Sequence, residues 1–200
     1  NFSQNDKDTR LHHASEYGYI DTVKFLVDDG SDINKQNLNG DTPLHIAAKY
    51  CKLNVVEFLI NKGAHLNIRN INGETPLICA VCVNYYSYDN KLEIQKILIK
   101  NGANLDISDN NGISAIQHLS MSENFDSLKL FVKNGADLNT QDSSGNTPLH
   151  YAALKNYIGN IELLINHGAD VDIQNNTGAT FIYYLVEDDK KLVKSIIEDN

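Results

Sequence analysis

The sequence predicts an all-α repeat protein in which short helix pairs are stacked unit on unit. Three observations predict it. Gly40, Gly73, Gly112, Gly145 and Gly178 are separated by 33, 39, 33 and 33 positions. Three of these glycines lie in nearly the same words: NGDTPLHIAA from Asn39, NGETPLICA from Asn72 and SGNTPLHYAA from Ser144. A second set, Gly30, Gly63, Gly102, Gly135 and Gly168, closes each unit within GSDIN, GAHLN, GANLD, GADLN and GADVD. Self-similarity at a fixed period of this length marks an array in which each unit buries its apolar face only against its neighbours.

Within a unit, each element has a local cause. Thr42 caps the first helix by accepting a hydrogen bond from a free backbone N–H. Pro43 takes the first helical position, where its missing N–H costs nothing. Leu44, Ala47 and Ala48 follow at helical spacing, and the small alanines let helices approach closely. The second helix is predicted over residues 53–61, with Val55, Val56, Phe58 and Leu59 apolar. Gly63 ends it in a position that favours a left-handed backbone. Leu66 and Ile68 lead to a hairpin turned by Asn72-Gly73.

The period of 33 with T-P-L-H-x-A resembles the ankyrin repeat over nearly the whole chain. That resemblance implies an all-α solenoid of helix–turn–helix units joined by short β-hairpins, with a curved profile. It also implies a protein that binds other proteins and catalyses nothing. One repeat domain is expected over residues 1–200, with six units at about 7–36, 37–69, 70–108, 109–141, 142–174 and 175–200.

The units are unequal. The first carries Thr9-Arg10-Leu11-His12-His13-Ala14 where TPLHIA stands later, which suits a starting cap with a polar outer face. The third has six extra residues between its helices, within Asn84-Tyr85-Tyr86-Ser87-Tyr88-Asp89-Asn90. The fourth departs most, reading Ser114-Ala115-Ile116-Gln117-His118-Leu119-Ser120. Proline is gone and Leu119-Ser120 replaces an alanine pair, so a looser or displaced helix is expected there. Restoring proline at 115 and alanine at 119 and 120 should then raise the melting temperature. The sixth keeps Thr180 but has Phe181 in place of proline, and its charged run from Glu187 to Lys191 fits a closing cap.

Bulk composition excludes some functions. The 17 basic and 26 acidic residues leave a formal net charge of −9. Nucleic acid and anionic membrane surfaces both want clustered Lys and Arg, so neither is an expected partner. No run of about 18 apolar residues exists to span a bilayer. Cys51, Cys79 and Cys82 form no disulfide framework, which suits a reducing compartment. Asn, Ile, Lys and Tyr are prominent, and their AT-rich codons fit a low-GC genome, as in intracellular bacteria, large viruses and some protozoa.

Candidate contact residues fall in three groups. In ankyrin proteins the hairpin tips and inner helices line a concave face that grips partners. The resemblance places Leu38, Ile71 and Ile113 at tips, where a turn is normally polar. It places Tyr17, Lys49, Tyr50, Val83, Met121 and Leu154 at inner-helix positions. Tyrosine is enriched in interface hot spots, and a row of apolar tips reads as a patch. Single exposed apolar residues are ordinary on any surface, which is the competing reading. The third group is the insertion with Tyr85, Tyr86 and Tyr88, since loops set on a rigid scaffold often carry function. A tolerated insertion, cheap in entropy, would look the same.

Other motifs carry less. His12, His45 and His150 occupy the TPLH position, where the resemblance implies a structural histidine bridging neighbouring units. They lie in separate units with no nucleophile motif, so a catalytic role is not expected. His118 is offset by one and reads as packing. Cys79-x-x-Cys82 is half of a zinc site with no second pair. The glycines end helices or turn hairpins, and no G-K-[S/T] follows any of them, so no phosphate loop is present. No cofactor or metal is expected.

The expected function is a protein-interaction scaffold acting through its concave face and tips. It would work as a monomer, in the cytoplasm or delivered into a host cell's cytoplasm as an effector of an intracellular microbe or virus. The alternative is the targeting module of a larger enzyme or toxin.

Overall fold

The computed structural model describes residues 4–82 and 88–198, with side chains described over 9–82 and 90–198. Two compact units are present, Asn1–Asp109 and Asn110–Asn200. The first holds α1 (Gln4–Tyr17), α2 (Ile20–Asp28), α3 (Pro43–Lys49), α4 (Leu53–Asn61), α5 (Pro76–Cys82) and α6 (Tyr88–Lys100). The second holds α7 (Ala115–Ser120), α8 (Phe125–Lys133), α9 (Pro148–Leu154), α10 (Ile158–Ile165), a 3-10 helix (Phe181–Tyr184) and α11 (Glu187–Glu198).

In the first unit α3 packs between α1 and α5, and α4 packs between α2 and α6. Leu44, Ala47 and Ala48 of α3 are buried, with Leu11 and Ala14 on α1 and Leu77, Ile78 and Ala80 on α5. The second helices supply Val23 and Leu26, Val55, Val56 and Leu59, and Ile94 and Leu98. The second unit repeats the scheme: α7 packs on α9, and α9 on the 3-10 helix, with α8, α10 and α11 behind. Phe131, Ile161, Leu164 and Val193 fill that layer. Fully burying each large aliphatic or phenylalanine side chain is worth about 1.5–3 kcal/mol.

Helix ends follow the sequence closely. At the end of α4 the Gly63 N–H donates to the Ile60 carbonyl at 2.9 Å and Ala64 N–H to Leu59 at 3.0 Å. Gly63 has φ +86°, and a Cβ there would meet nothing within 4 Å. Its glycine is therefore required by backbone conformation alone. Gly40 is constrained twice. Its φ is +72°, and a Cβ would stand 2.8 Å from the Ile71 nitrogen.

The expected β-hairpins are reduced to their turns, with isolated bridge residues at Ser108 and Ser114, and no strand is found among the described residues. Asn37 N–H donates to Asp41 O at 3.0 Å and Gly40 N–H to Asn37 O at 2.9 Å. The Asn37 carboxamide oxygen accepts from Asn39 N–H and Asp41 N–H at 2.9 and 3.0 Å. A side chain thus satisfies donors that a ladder would otherwise pair. Successive turns join by single bonds, Ile71 N–H to Asn39 O at 3.0 Å and Asn176 N–H to Ser144 O at 3.0 Å. Carboxamides add a second series. Asn34 accepts from His65 N–H at 2.8 Å, Asn67 from Asn104 N–H at 2.9 Å and Asn139 from Asp170 N–H at 2.8 Å.

Three expectations about individual helices change. Helix α7 is not loose: Ala115, Ile116, Gln117, Leu119 and Ser120 are all buried. The first unit's outer face is not uniformly polar, since Tyr17, Tyr19 and Phe25 are 59%, 61% and 68% exposed. Tyr88 does not lie in a loop but opens α6, which runs 13 residues against nine for α4.

Candidate functional site

Each of these turns is fastened by one side chain from the first helix of the unit before it. In α3 this is His45. Its Nδ1 accepts the Thr42 N–H at 3.1 Å, so Nδ1 is unprotonated and Nε2 carries the hydrogen. Nε2–H then donates to the Glu74 carbonyl of the next turn at 3.1 Å. His150 in α9 does the same, taking Thr147 N–H at 3.2 Å and reaching the Ala179 carbonyl at 3.0 Å. His12 bridges to the Lys35 and Asp41 carbonyls at 2.9 and 3.0 Å. Desolvation lowers the His45 pKa below its ordinary value, outweighing the Glu74 carbonyl and the Asp41 carboxylate that favour the cation.

Gln117 performs this task in α7. Its Oε1 accepts Ser114 N–H at 2.7 Å and the Ser114 hydroxyl at 3.1 Å. Its Nε2 donates to Asn146 O at 2.8 Å and Thr140 O at 3.2 Å. Gln117 was not among the expected bridging residues, because the repeat pattern has histidine at that position. The signal was present, since Gln117 sits three residues after a capping Ser, as His45 sits three after Thr42.

On the tips stand the apolar residues singled out by the sequence. Leu38 is fully exposed at 101% and Ile71 is exposed at 62%, on consecutive turns of the first unit. Tyr17 ends α1 and Tyr50 caps the C-terminus of α3, so both occupy the same position of successive first helices. Tyr17 stacks on Tyr19, with ring centroids 5.7 Å apart. Tyr50 is half-buried and Lys49 exposed. A groove of about 620 Å³ lies beside Leu38, lined also by His12, His13, Glu16, Lys35 and Ile46.

Below these tips Asn70 joins two carboxylates. Its Nδ2 donates to Asp41 and to Glu74, each at 2.9 Å. That network was not foreseen, because Asp41 and Asn70 are 29 positions apart and only the fold brings them together.

In the second unit Leu154 is 49% exposed at the end of α9. Met121 caps α7 and is half-buried, as is Ile113 before that helix. Tyr183 and Val186, which the sequence did not single out, are 73% and 62% exposed. Val83, Tyr85 and Tyr86 lie outside the described residues, as does the side chain of Tyr88.

Desolvation raises the pKa of the buried Cys51 and Cys79, so these two thiols are protonated and poor nucleophiles at neutral pH. Among the described residues no three His, Cys, Asp or Glu side chains converge as a metal site would need.

The family profile described as ankyrin repeats (3 copies) matches residues 11–89 and 83–175. The chain belongs to the ankyrin repeat family. Solved structures agree. An ankyrin repeat domain from Acinetobacter baumannii superposes with a TM-score of 0.84 at 19% identity, over 95% of this chain and 96% of that one. The ankyrin repeat domain of Bcl-3, a member of the IkappaB family, gives 0.82 at 25% identity over 94% and 81%. A chain from the complex of the predatory endopeptidase Bd0816 of Bdellovibrio bacteriovorus with immunity protein Bd3460 gives 0.77 at 29% identity over 95% and 97%. No curated protein matches the chain. Ankyrin repeat domains are protein-interaction modules and are generally not catalytic. Among the described residues no helix is long and apolar enough to cross a membrane.

Proposed function

We propose that this chain binds a partner protein through its turn tips and the C-terminal ends of its first helices. The observation that carries the reading is the pair Leu38 and Ile71, both exposed on consecutive turns that hydrogen bonds hold in place. An apolar side chain held out on an ordered turn loses little entropy when a partner covers it. Tyr17 and Tyr50 extend that surface, and Leu154, Met121 and Ile113 are its counterparts in the second unit. Tyr85, Tyr86, Tyr88 and Val83 belong to the proposal on sequence grounds alone.

The repeat is read as six units forming one domain over residues 1–200 that acts as a monomer. The net charge of −9 speaks for a protein partner over nucleic acid. The AT-rich composition supports an intracellular microbe or virus as source, and hence a host protein as partner, met in the host cytoplasm.

The test is partner capture from lysate with the wild type beside the variant Leu38→Ser/Ile71→Ser/Tyr17→Ser, each checked by circular dichroism. A protein retained by the wild type and weakened at least about tenfold in the variant supports the reading, since one hot-spot truncation costs about 1–2 kcal/mol or more. Equal capture by both would place the contact elsewhere. A parallel variant, Met121→Ser/Leu154→Ser, then asks whether the second unit carries it.

A further inference from the structure

We infer that the turn before α5 is fastened by an acid-sensitive latch at His45, and that Gln117 is its proton-insensitive equivalent before α9. Nδ1 of His45 already faces a donor, the Thr42 backbone N–H, at 3.1 Å. A proton on Nδ1 would set two N–H groups against each other. The Thr42 hydroxyl, 2.8 Å from Nδ1, can rotate to accept, but a backbone N–H cannot change its role. The ring is fully buried, so no water takes up the strain. Protonation therefore requires the ring to leave, and leaving breaks the Nε2–H bond to the Glu74 carbonyl.

Asp41 precedes α3 and Glu74 lies on the following turn, and both favour the cation. Cys79 on α5 lies beside Glu74, its thiol pushed up and therefore neutral. His12 on α1 reaches the Asp41 carbonyl. Desolvation outweighs the two carboxylates and lowers the His45 pKa from the ordinary 6.5. The direction follows from linkage. With a folded value below the unfolded one, the latch is at full strength above about pH 6.5. It weakens as pH falls from there toward the folded value. In that window one proton is taken up on opening, so the opening constant rises about tenfold per pH unit.

Gln117 has no such dependence. Its carboxamide offers one oxygen to Ser114 N–H and one N–H₂ to Asn146 O at any pH. Acid should therefore loosen the tip that carries Ile71 while leaving the tip before α9 closed. The inference adds regulation to the binding surface proposed above, but its test needs no partner, so the two can fail separately.

The test is amide hydrogen exchange between pH 7.5 and 5.5, corrected for the intrinsic rate. In the wild type, protection around Thr42 and over residues 70–74 should fall by up to about tenfold per pH unit below 6.5. Protection around Ser114, whose N–H faces the Gln117 carboxamide, should stay flat. His45→Gln should flatten the first segment. Gln117→His should give the second segment the pH dependence of the first, which keeps the inference testable if His45→Gln does not fold. Wild-type protection at 70–74 that ignores pH, or Gln117→His without a new pH dependence, would overturn it.

Discussion

Helices α3 and α7 open with different words, Thr-Pro-Leu-His and Ser-Ala-Ile-Gln, and arrive at the same local geometry. Both N-cap residues are extended, at φ −82°, ψ 165° and φ −84°, ψ 167°. Both pair the cap with the side chain three residues on. Each then sends one hydrogen to the carbonyl of the next turn, from His45 to Glu74 and from Gln117 to Asn146. The unit demands an acceptor near the cap N–H and a donor about one ring-width away. Imidazole and carboxamide both supply that pair. The difference appears further along, where α3 has Ala47 and Ala48 and α7 has Leu119 and Ser120.

The largest expected effect lies at that difference. Leu119 is fully buried, so Leu119→Ala should cost about 2–5 kcal/mol in urea unfolding. This reverses the outcome expected from the repeat pattern, in which alanine at 119 raises the melting temperature. The converse change, Ala47→Leu, should cost about 1–3 kcal/mol, because Ala47 is fully buried and a larger side chain there must displace its neighbours. If Leu119→Ala were neutral, α7 would be collapsing onto the smaller residue, and the two helices would be closer in packing than their sequences indicate.

Next comes the bridge itself. Gln117→Ala leaves the buried Ser114 N–H without its acceptor and removes one of two donors to the Asn146 carbonyl, an expected loss of about 1–3 kcal/mol. Gln117→His restores both bonds and should recover most of that loss in thermal melts at pH 7.5. Failure of histidine to outperform alanine would mean that Gln117 acts through bulk and not through its hydrogen bonds.

Serine gives a smaller contrast of the same kind. Ser120 stands in place of Ala48 but donates to the Ile116 carbonyl at 2.8 Å. Ser31 stands where the later units have Ala64, Ala103, Ala136 and Ala169, and its buried Oγ has no partner. Ser31→Ala should therefore raise stability by about 1 kcal/mol, while Ser120→Ala should be near neutral. Denaturant midpoints with unchanged m-values would establish both.

What could be read from the sequence was whatever rests on local chemistry. The glycines, the Thr-Pro caps and the apolar spacing located the helices because each acts within about four residues. The exposed tips Leu38 and Ile71 were readable for the same reason, since a turn flanked by Asn and Gly leaves its central residue outside. What escaped depends on partners about one repeat away. Leu119 looked like a defect because the space that it fills is made by neighbouring helices. Gln117 was not singled out because its role is defined by two carbonyls 23 and 29 positions on. The Asp41–Asn70–Glu74 cluster has no sequence signature, being three ordinary turn residues until the turns stack. The polar starting cap failed at Phe25, which matches Phe58 in register. Phe58 is half-buried, whereas Phe25 is 68% exposed.

The smallest expected gain concerns the proline that α7 lacks. Ala115 is the first residue of the helix, where the N–H has no partner within the helix and proline is tolerated. Ser114 before it is already extended at ψ 167°, the conformation that a following proline demands. Pro43, Pro76 and Pro148 occupy the matching site elsewhere and are buried there. Ala115→Pro therefore restricts the unfolded chain without disturbing a native bond, for a gain of about 0.4–1 kcal/mol. The measurement is a denaturant midpoint compared with that of Ala115→Gly, which should fall by a similar amount. A loss on introducing proline would mean that the ring collides with what buries Ala115. The likeness between α7 and α3 would then stop at hydrogen bonding and not extend to the shape of the site.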